Sequence, residues 1–273
     1  MPLAKAQSIL KKVLPSPLFD WLYWLATSLY YAKQGIADWW FYHTPKSDGD
    51  NIVLVNRLKA VLPYTMVGRG GLIATHNIVA AIEEQNLDGC IVECGVARGG
   101  TSALMLGTSG YYRFLPREKR DAWLFDSFEG LPEPTAEDGV LRDPTSKDRS
   151  SWDLAKGYCL GTQEDVEDLL FNKFKFSRDK VHLVKGWFQD TLPVYRERVG
   201  DIAVLRIDGD WFESTKCCLE NLYDNVVDGG YVILDDYALV GCRRAVDEFF
   251  TDRTPEEYPD VVLDGRGGGW FRK

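Results

Sequence analysis

The stretch Ile91 to Ser102 constrains this chain more than any other. An apolar run, Ile91-Val92, meets an acid at Glu93. A glycine-bearing turn, Gly95-Val96-Ala97-Arg98-Gly99-Gly100, follows and leads through Thr101-Ser102 into the helix-forming segment Ala103-Leu104-Met105-Leu106. Strand, glycine turn and helix in this order bring backbone N–H groups close to a nucleotide-like ligand in an α/β protein. Gly95 and Gly99 lack a Cβ, so the chain can bend sharply there and a ligand can approach.

The spacing separates three ligand classes. After Gly95 the next glycine is Gly99, which does not fit the dinucleotide pattern G-x-G-x-x-G. Gly95-x4-Gly100 is followed by Thr101, not the lysine that a phosphate-binding loop needs. What remains is E-x-G-x-x-x-G, the pattern of a pocket for S-adenosylmethionine, a cation beside which an acid is favourable. An ordinary βα turn with a capping role is the alternative.

The 273 residues suit one domain of ordinary size with an added arm. A hydrophobic share of 45% is enough for a sizeable core. The net charge of −9 argues against a nucleic-acid partner, because phosphate contacts need basic residues. Cys90, Cys94, Cys159, Cys217, Cys218 and Cys242 include no C-x-x-C pair, so reduced thiols in a cytoplasmic protein are expected. His43, His76 and His182 are scattered and read as structural.

Residues 1–50 form an aromatic arm with Trp21, Trp24, Trp39 and Trp40, and Leu18, Trp21, Leu22, Leu25 and Leu29 at helical spacing. The uncharged run from Trp21 to Ala32 is 12 residues, too short to span a bilayer. An arm packed on protein, giving a homo-oligomer, is preferred to an interfacial membrane helix.

Residues 51–273 alternate helix and strand. Helices are expected over Ile52–Leu62 and Leu72–Glu84, and after the capping pattern Thr162-x-x-Asp165 as far as Phe174. Strands are expected at Cys90–Glu93, Ala122–Phe125, Val181–Val184, Ile202–Ile207 and Tyr231–Leu234. The polar run Arg113–Asp121 reads as an insertion before the second of these. Val261–Leu263 and Gly269–Phe271 flank turn residues and predict a closing hairpin. The fold class that follows is α/β, Rossmann-like: a mostly parallel sheet with helices on both faces and a C-terminal antiparallel hairpin. Residues 129–160, rich in proline and charge, read as a lid.

Acids collect at the strand ends: Glu93, Asp126, Asp208, Asp235 and Asp236. The carboxyl ends of parallel strands share one sheet edge, where ligands bind. Asp126, ending the second strand, is placed to accept both ribose hydroxyls of an adenosine, or to cap a helix. Five acids on four strands repel one another unless a cation lies among them. Asp208, Asp235 and Asp236 form a carboxylate set suited to Mg²⁺, the alternative being helix caps.

The motifs Tyr64-Thr65-Met66, Val92-Glu93-Cys94-Gly95-Val96-x-Arg98-Gly99-Gly100, Asp126-Ser127-Phe128-Glu129-Gly130-Leu131-Pro132, Val184-Lys185-Gly186-Trp187-Phe188-x-Asp190, Arg206-Ile207-Asp208-Gly209-Asp210 and Leu234-Asp235-Asp236-Tyr237 together resemble the macrocin-type O-methyltransferases. The resemblance runs from about Asn51 to the C-terminus. It implies a class I methyltransferase using S-adenosylmethionine and Mg²⁺ on a hydroxyl of a sugar or glycosylated small molecule. It implies cofactor contacts at Thr65, Met66, Glu93 (the amino acid end), Gly95, Gly99, Thr101, Asp126 (the ribose), Ser127, Phe128, Gly130, Gly186, Trp187, Phe188 and Asp208, and metal ligands at Asp208, Asp235 and Asp236. Some members have a lid histidine proposed as base; residues 129–160 contain none, which makes Asp208 the candidate. The rival readings are an inactive binding protein that uses the arm and, disfavoured by the glycine spacing, a nucleotide-dependent oxidoreductase.

Overall fold

The computed structural model describes residues 33–44, 49–112, 115–116, 120–139, 157–251, 253 and 258–273. The expected helix from Leu18 lies mostly outside these residues, as does lid segment 140–156. The chain divides into two units, Met1–Ile52 and Val53–Lys273. In the first, residues 33–43 form helix α1, where Trp39 stacks on His43 with ring centres 4.8 Å apart. Among the described residues no helix is long and apolar enough to cross a membrane.

In chain order, α2 (Gly49–Val61) and α3 (Arg69–Glu84) precede β1 (Cys90–Cys94) and α4 (Gly100–Gly110). A small hairpin, β2 (Tyr111–Tyr112) and β3 (Leu115–Pro116), leads to β4 (Ala122–Asp126). Then come α5 (Gln163–Glu167), β5 (Val181–Lys185), α6 (Phe188–Val199), β6 (Ile202–Ile207), α7 (Phe212–Leu222), β7 (Val226–Leu234), α8 (Val240–Thr251), β8 (Val262–Leu263) and β9 (Gly269–Arg272).

The seven-stranded sheet has the order β5-β4-β1-β6-β7-β9-β8. Its first five strands are parallel, and β9 and β8 are antiparallel, as the sequence predicts. Strands β1 and β6 are buried along their whole length, which is why they read as near-continuous apolar runs. The chain runs outward from β1 to β4 and β5, then returns to β6 and β7. That reversal opens a crevice at the carboxyl ends of β1, β4 and β6.

Several boundaries move from their sequence-expected places. Helix α3 starts at Arg69, three residues early, because Gly68 supplies an extended N-cap. It closes where the sequence predicts: Asn86 is left-handed at φ 49°, and Leu87 N donates to Ile82 O at 3.0 Å. Thr162 caps α5 through Asp165 N at 3.1 Å, but the helix continues as a π-turn over Asp168–Lys173, for which the sequence has no signature. Part of the expected insertion pairs as the β2–β3 hairpin. Strand β7 begins at Val226, five residues early, after which its register against β6 shifts.

Candidate active site

The glycine turn is held from below and from one side. Asp208 N donates to Cys94 O at 2.8 Å, and Gly95 N donates to Phe125 O at 2.9 Å. Gly95 has φ 92°, and a Cβ there would lie 1.8 Å from Asp208 O, so only glycine fits where β1 and β6 end side by side. The chain crosses the same turn again at Gly161, where a Cβ would lie 1.9 Å from Ala97 O. Leu131 N donates to Tyr158 O and Gly157 N to Leu131 O, both at 2.9 Å, which joins the two described ends of the segment expected to be a lid.

Between these walls lies a cleft of about 920 Å³, at the upper end of ordinary ligand cavities and roomy enough for a cofactor and an acceptor together. Thr65, Met66, Gly95 and Thr101 line one side of it, where the Thr65 and Thr101 hydroxyl oxygens are 3.3 Å apart. Asp126, Ser127 and Gly130 line it from the end of β4, and Trp187 and Phe188 from the start of α6. Gly99, Phe128 and Gly186 do not line it. Gly99 faces Val166 and Leu169, Phe128 is buried, and a Cβ on Gly186 would press on Thr191.

Two expected roles change. Asp126 Oδ2 accepts Val96 N at 2.7 Å and Ala97 N at 2.9 Å, and its Oδ1 accepts Phe128 N at 2.7 Å. A carboxylate has about four lone-pair sites, so one is left for a ribose hydroxyl, not two. Burial pushes the Asp126 pKa up and those three N–H groups oppose the rise. Glu93 is 1% exposed and lies beneath the cleft, off its lining. Its Oε2 accepts from Ser102 Oγ and its Oε1 from Arg206 Nη1 at 3.1 Å, so it supports the site from behind and does not reach the cofactor's amino acid end.

The acid edge holds one more member than the sequence suggested. Asp208, Asp210, Asp235 and Asp236 all line the cleft. One oxygen from each of Asp208, Asp210 and Asp236 lies within 4.8 Å of the other two. Asp235 lies outside that closest triangle, with its Oδ1 accepting from Arg206 Nη2 at 2.5 Å. Asp210 has φ 55°, and its N–H donates to Asp236 Oδ2 at 3.1 Å. The Asp208-Gly209-Asp210 turn, not the strand ends alone, sets the cluster. Burial and then the neighbouring acids push Asp210 up to about 7; burial does the same to Asp235 despite Arg206. Asp236 is raised for the same reasons.

These residues fit a hard divalent cation. An octahedral Mg²⁺ with bonds of about 2.1 Å sets its ligand oxygens roughly 3–4 Å apart, inside the 4.8 Å that bounds the Asp208, Asp210 and Asp236 oxygens. All the donors are carboxylate oxygens, and burial first and the neighbouring acids second raise the pKa values of Asp210 and Asp236, a cost that a cation among them would relieve. The cleft also fits S-adenosylmethionine: a tight glycine turn, an acid with one acceptor site left and an anionic edge beside both. Arg206, which ties this edge together, is a site residue that the strand-end pattern does not reveal. Its signal was a lone charge inside the apolar run Ile202–Ile207.

Comparisons with known proteins agree with this geometry. Residues 54–273 match the family model described as "Macrocin-O-methyltransferase (TylF)". The chain is 37% identical over 212 residues to the "Demethyldecarbamoylnovobiocin O-methyltransferase" of Streptomyces niveus, covering 77% of this chain and 76% of that one. It is 35% identical over 207 residues to the "8-demethyl-8-(2,3-dimethoxy-alpha-L-rhamnosyl)-tetracenomycin-C 4'-O-methyltransferase" of Streptomyces olivaceus, covering 76% and 75%. It is also 31% identical to the "Mycinamicin III 3''-O-methyltransferase" of Micromonospora griseorubida, covering 77% and 78%. Among solved structures, the O-methyltransferase NovP superposes with a TM-score of 0.63 at 32% identity, covering 77% of this chain and 82% of that one. The calicheamicin methyltransferase CalS11 superposes at 0.58 with 18% identity, covering 84% and 94%, and shares the fold.

Proposed function

Because this chain belongs to the macrocin O-methyltransferase (TylF) family, a family of S-adenosylmethionine-dependent enzymes, we propose that it methylates a sugar hydroxyl of a glycosylated small molecule in a Mg²⁺-dependent reaction. The observation that carries this reading is the single cleft in which the cofactor wall, Thr65 to Thr101 with Asp126, faces the carboxylates Asp208, Asp210, Asp235 and Asp236. Relatives named for sugar-bearing acceptors support the substrate class.

Thr65, Met66, Gly95, Thr101, Asp126, Ser127, Gly130, Trp187 and Phe188 are the cofactor contacts of this reading, and Asp208, Asp235 and Asp236 its metal ligands, with Asp210 beside them. When bound, the cofactor supplies an electrophilic methyl group and the cation lowers the pKa of a coordinated hydroxyl. The chain's own part is positioning and proton transfer. Trp187, Phe188 and the lid neck exclude water from the cleft. One Asp208 oxygen is held by Arg206 Nη1 at 2.8 Å, and Asp208 takes the acceptor's proton directly or through water. Holding the acceptor oxygen in line with the methyl group supplies much of the remaining rate. Residues 1–50 act in this reading as an arm for homo-oligomer formation, and the enzyme works in the cytoplasm.

The test is methyl transfer from labelled S-adenosylmethionine to a panel of desmethyl glycosides, with Mg²⁺ or with EDTA, read by mass spectrometry. Transfer lost in EDTA and restored by Mg²⁺ is expected. Full transfer in EDTA rejects the metal, and no methyl acceptor among glycosides rejects the substrate class.

A further inference from the structure

Arg206 is 0% exposed, yet its guanidinium meets carboxylates from three strands. Nη1 bonds Glu93 Oε1 at 3.1 Å and Asp208 Oδ2 at 2.8 Å, while Nη2 bonds Asp235 Oδ1 at 2.5 Å. Its Nε is buried without a partner, so the guanidinium is turned toward the carboxylates at the expense of one donor. The two arms of one rigid plane therefore grip two acids that follow adjacent strands, β6 and β7.

We propose that Arg206 is a positioning residue that presents Asp208 and Asp235 to the divalent cation. The side chains of Asp208 and Asp235 are 25% and 20% exposed, and both line the cleft, whereas their shared partner is wholly buried. Each aspartate keeps one carboxylate oxygen that Arg206 does not hold. A guanidinium fixes both the separation and the tilt of the two carboxylates. An ammonium is a point charge on a flexible stem and fixes neither. Glu93 has a separate part: it neutralises Arg206 from the β1 side, without lining the cleft.

The inference rests on the proposed Mg²⁺ site, and the two Arg206 variants in its test keep the net charge of the protein constant. Mn²⁺ alone is titrated into the full-length protein and followed by electron paramagnetic resonance, with S-adenosylmethionine binding measured in parallel by calorimetry. Arg206→Lys retains the charge. Glu93→Gln/Arg206→Gln removes one charge of each sign and spares folding the penalty of an unpaired buried acid. Both are expected to weaken Mn²⁺ binding by about ten-fold or more, the cost of about 1.4 kcal/mol in lost pre-orientation, with S-adenosylmethionine affinity within about three-fold. Glu93→Gln alone leaves the grip on both aspartates and is expected to keep Mn²⁺ binding within about three-fold. Mn²⁺ binding unchanged in both Arg206 variants overturns the positioning role, as does an equal loss of cofactor binding, which would mark general structural damage. A natural protein that binds no Mn²⁺ overturns the metal site itself, and this inference with it.

Discussion

Asp138, in the first arm of the lid, caps the helix that follows the acid turn: its Oδ1 accepts Phe212 N at 2.6 Å, across 74 residues of sequence. Its Oδ2 accepts Thr135 N at 2.7 Å, closing its own short turn. Next to this contact Trp211 Nε1 donates to Pro132 O at 3.1 Å. The beginning of the lid is thereby fastened to the residues directly after Asp208 and Asp210, and a Cβ on Gly241 would lie 2.2 Å from Asp138 Oδ1.

Asp138→Ala should consequently cost about 1–2 kcal/mol of stability, the usual scale for losing a helix N-cap. Because the lid arm loses its fastening as well, KM for the acceptor should rise several-fold while S-adenosylmethionine affinity changes little. Thermal denaturation and steady-state kinetics check this. An unchanged KM would show that the fastening does not shape the acceptor's side of the cleft.

Asp126→Ala removes the acceptor of three backbone N–H groups on two loops as well as the one site left for a ribose hydroxyl. Each stranded donor costs about 1–3 kcal/mol if water does not reach it. Calorimetry should show S-adenosylmethionine binding weakened by about ten-fold or more, with a clear loss of stability. Asp126→Asn keeps the size and part of the acceptance, and should fall between the two. Full-strength binding in Asp126→Ala would remove this residue from the cofactor site.

The pH dependence follows from Glu93, Asp210 and Asp235, each pushed up to about 7, with burial the largest cause in each case. A raised carboxyl holds its proton in the cation-free fold between about pH 4.5 and 7, where the unfolded chain has already released it. Those groups therefore favour the cation-free fold at low pH, and that contribution is lost as pH rises through about 7. Mg²⁺ needs the ionised forms, so its slope is opposite. Apparent Mn²⁺ affinity should rise by up to about ten-fold per pH unit for each ligand carboxyl that titrates below 7, and level off above 8. Added Mg²⁺ should raise Tm more at pH 8 than at pH 5.5. A Tm increment that does not grow with pH would contradict this.

Much of the fold was legible because the central strands carry it openly. Runs such as Ile202–Leu205 and Tyr231–Leu234 are apolar on both faces, as buried parallel strands must be. Acids at their ends marked the ligand edge for the same reason. What the sequence hid depends on side-chain direction. Glu93 lies one residue inside the end of β1, level with Leu124, and bonds Arg206 and Ser102, whereas Asp126 ends β4 two positions further on and lines the cleft. The period of a strand does not distinguish a terminal acid that supports a site from one that lines it. Asp210 was hidden because its role comes from a left-handed turn at φ 55°, a conformation that non-glycine residues rarely adopt.

The metal ligands give the sharpest test, because the four cleft acids are not equivalent. Asp208 and Asp236 belong to the converging triangle and to the strand-end set alike, so Asp208→Asn and Asp236→Asn should each abolish methyl transfer. For Asp236→Asn, S-adenosylmethionine binding should be largely retained. Asp208→Asn also touches the proposed base, and should stay inactive even when excess Mg²⁺ restores metal binding. Asp235 and Asp210 differ in how they are held. Asp235 is held by Arg206 through one oxygen and lines the cleft, so in the proposed site its loss removes a pre-oriented ligand. Asp210 sits on a turn and has its side chain buried among like charges, so its loss also relieves repulsion. Asp235→Asn should therefore weaken Mn²⁺ binding more than Asp210→Asn does, by about ten-fold, the scale of one oriented charge–metal contact. The reverse order would make the Asp208, Asp210 and Asp236 triangle the working ligand set, with Asp235 left as the counter-ion of Arg206. Equal and small effects from all four substitutions would leave these acids as turn and cap residues with no metal among them.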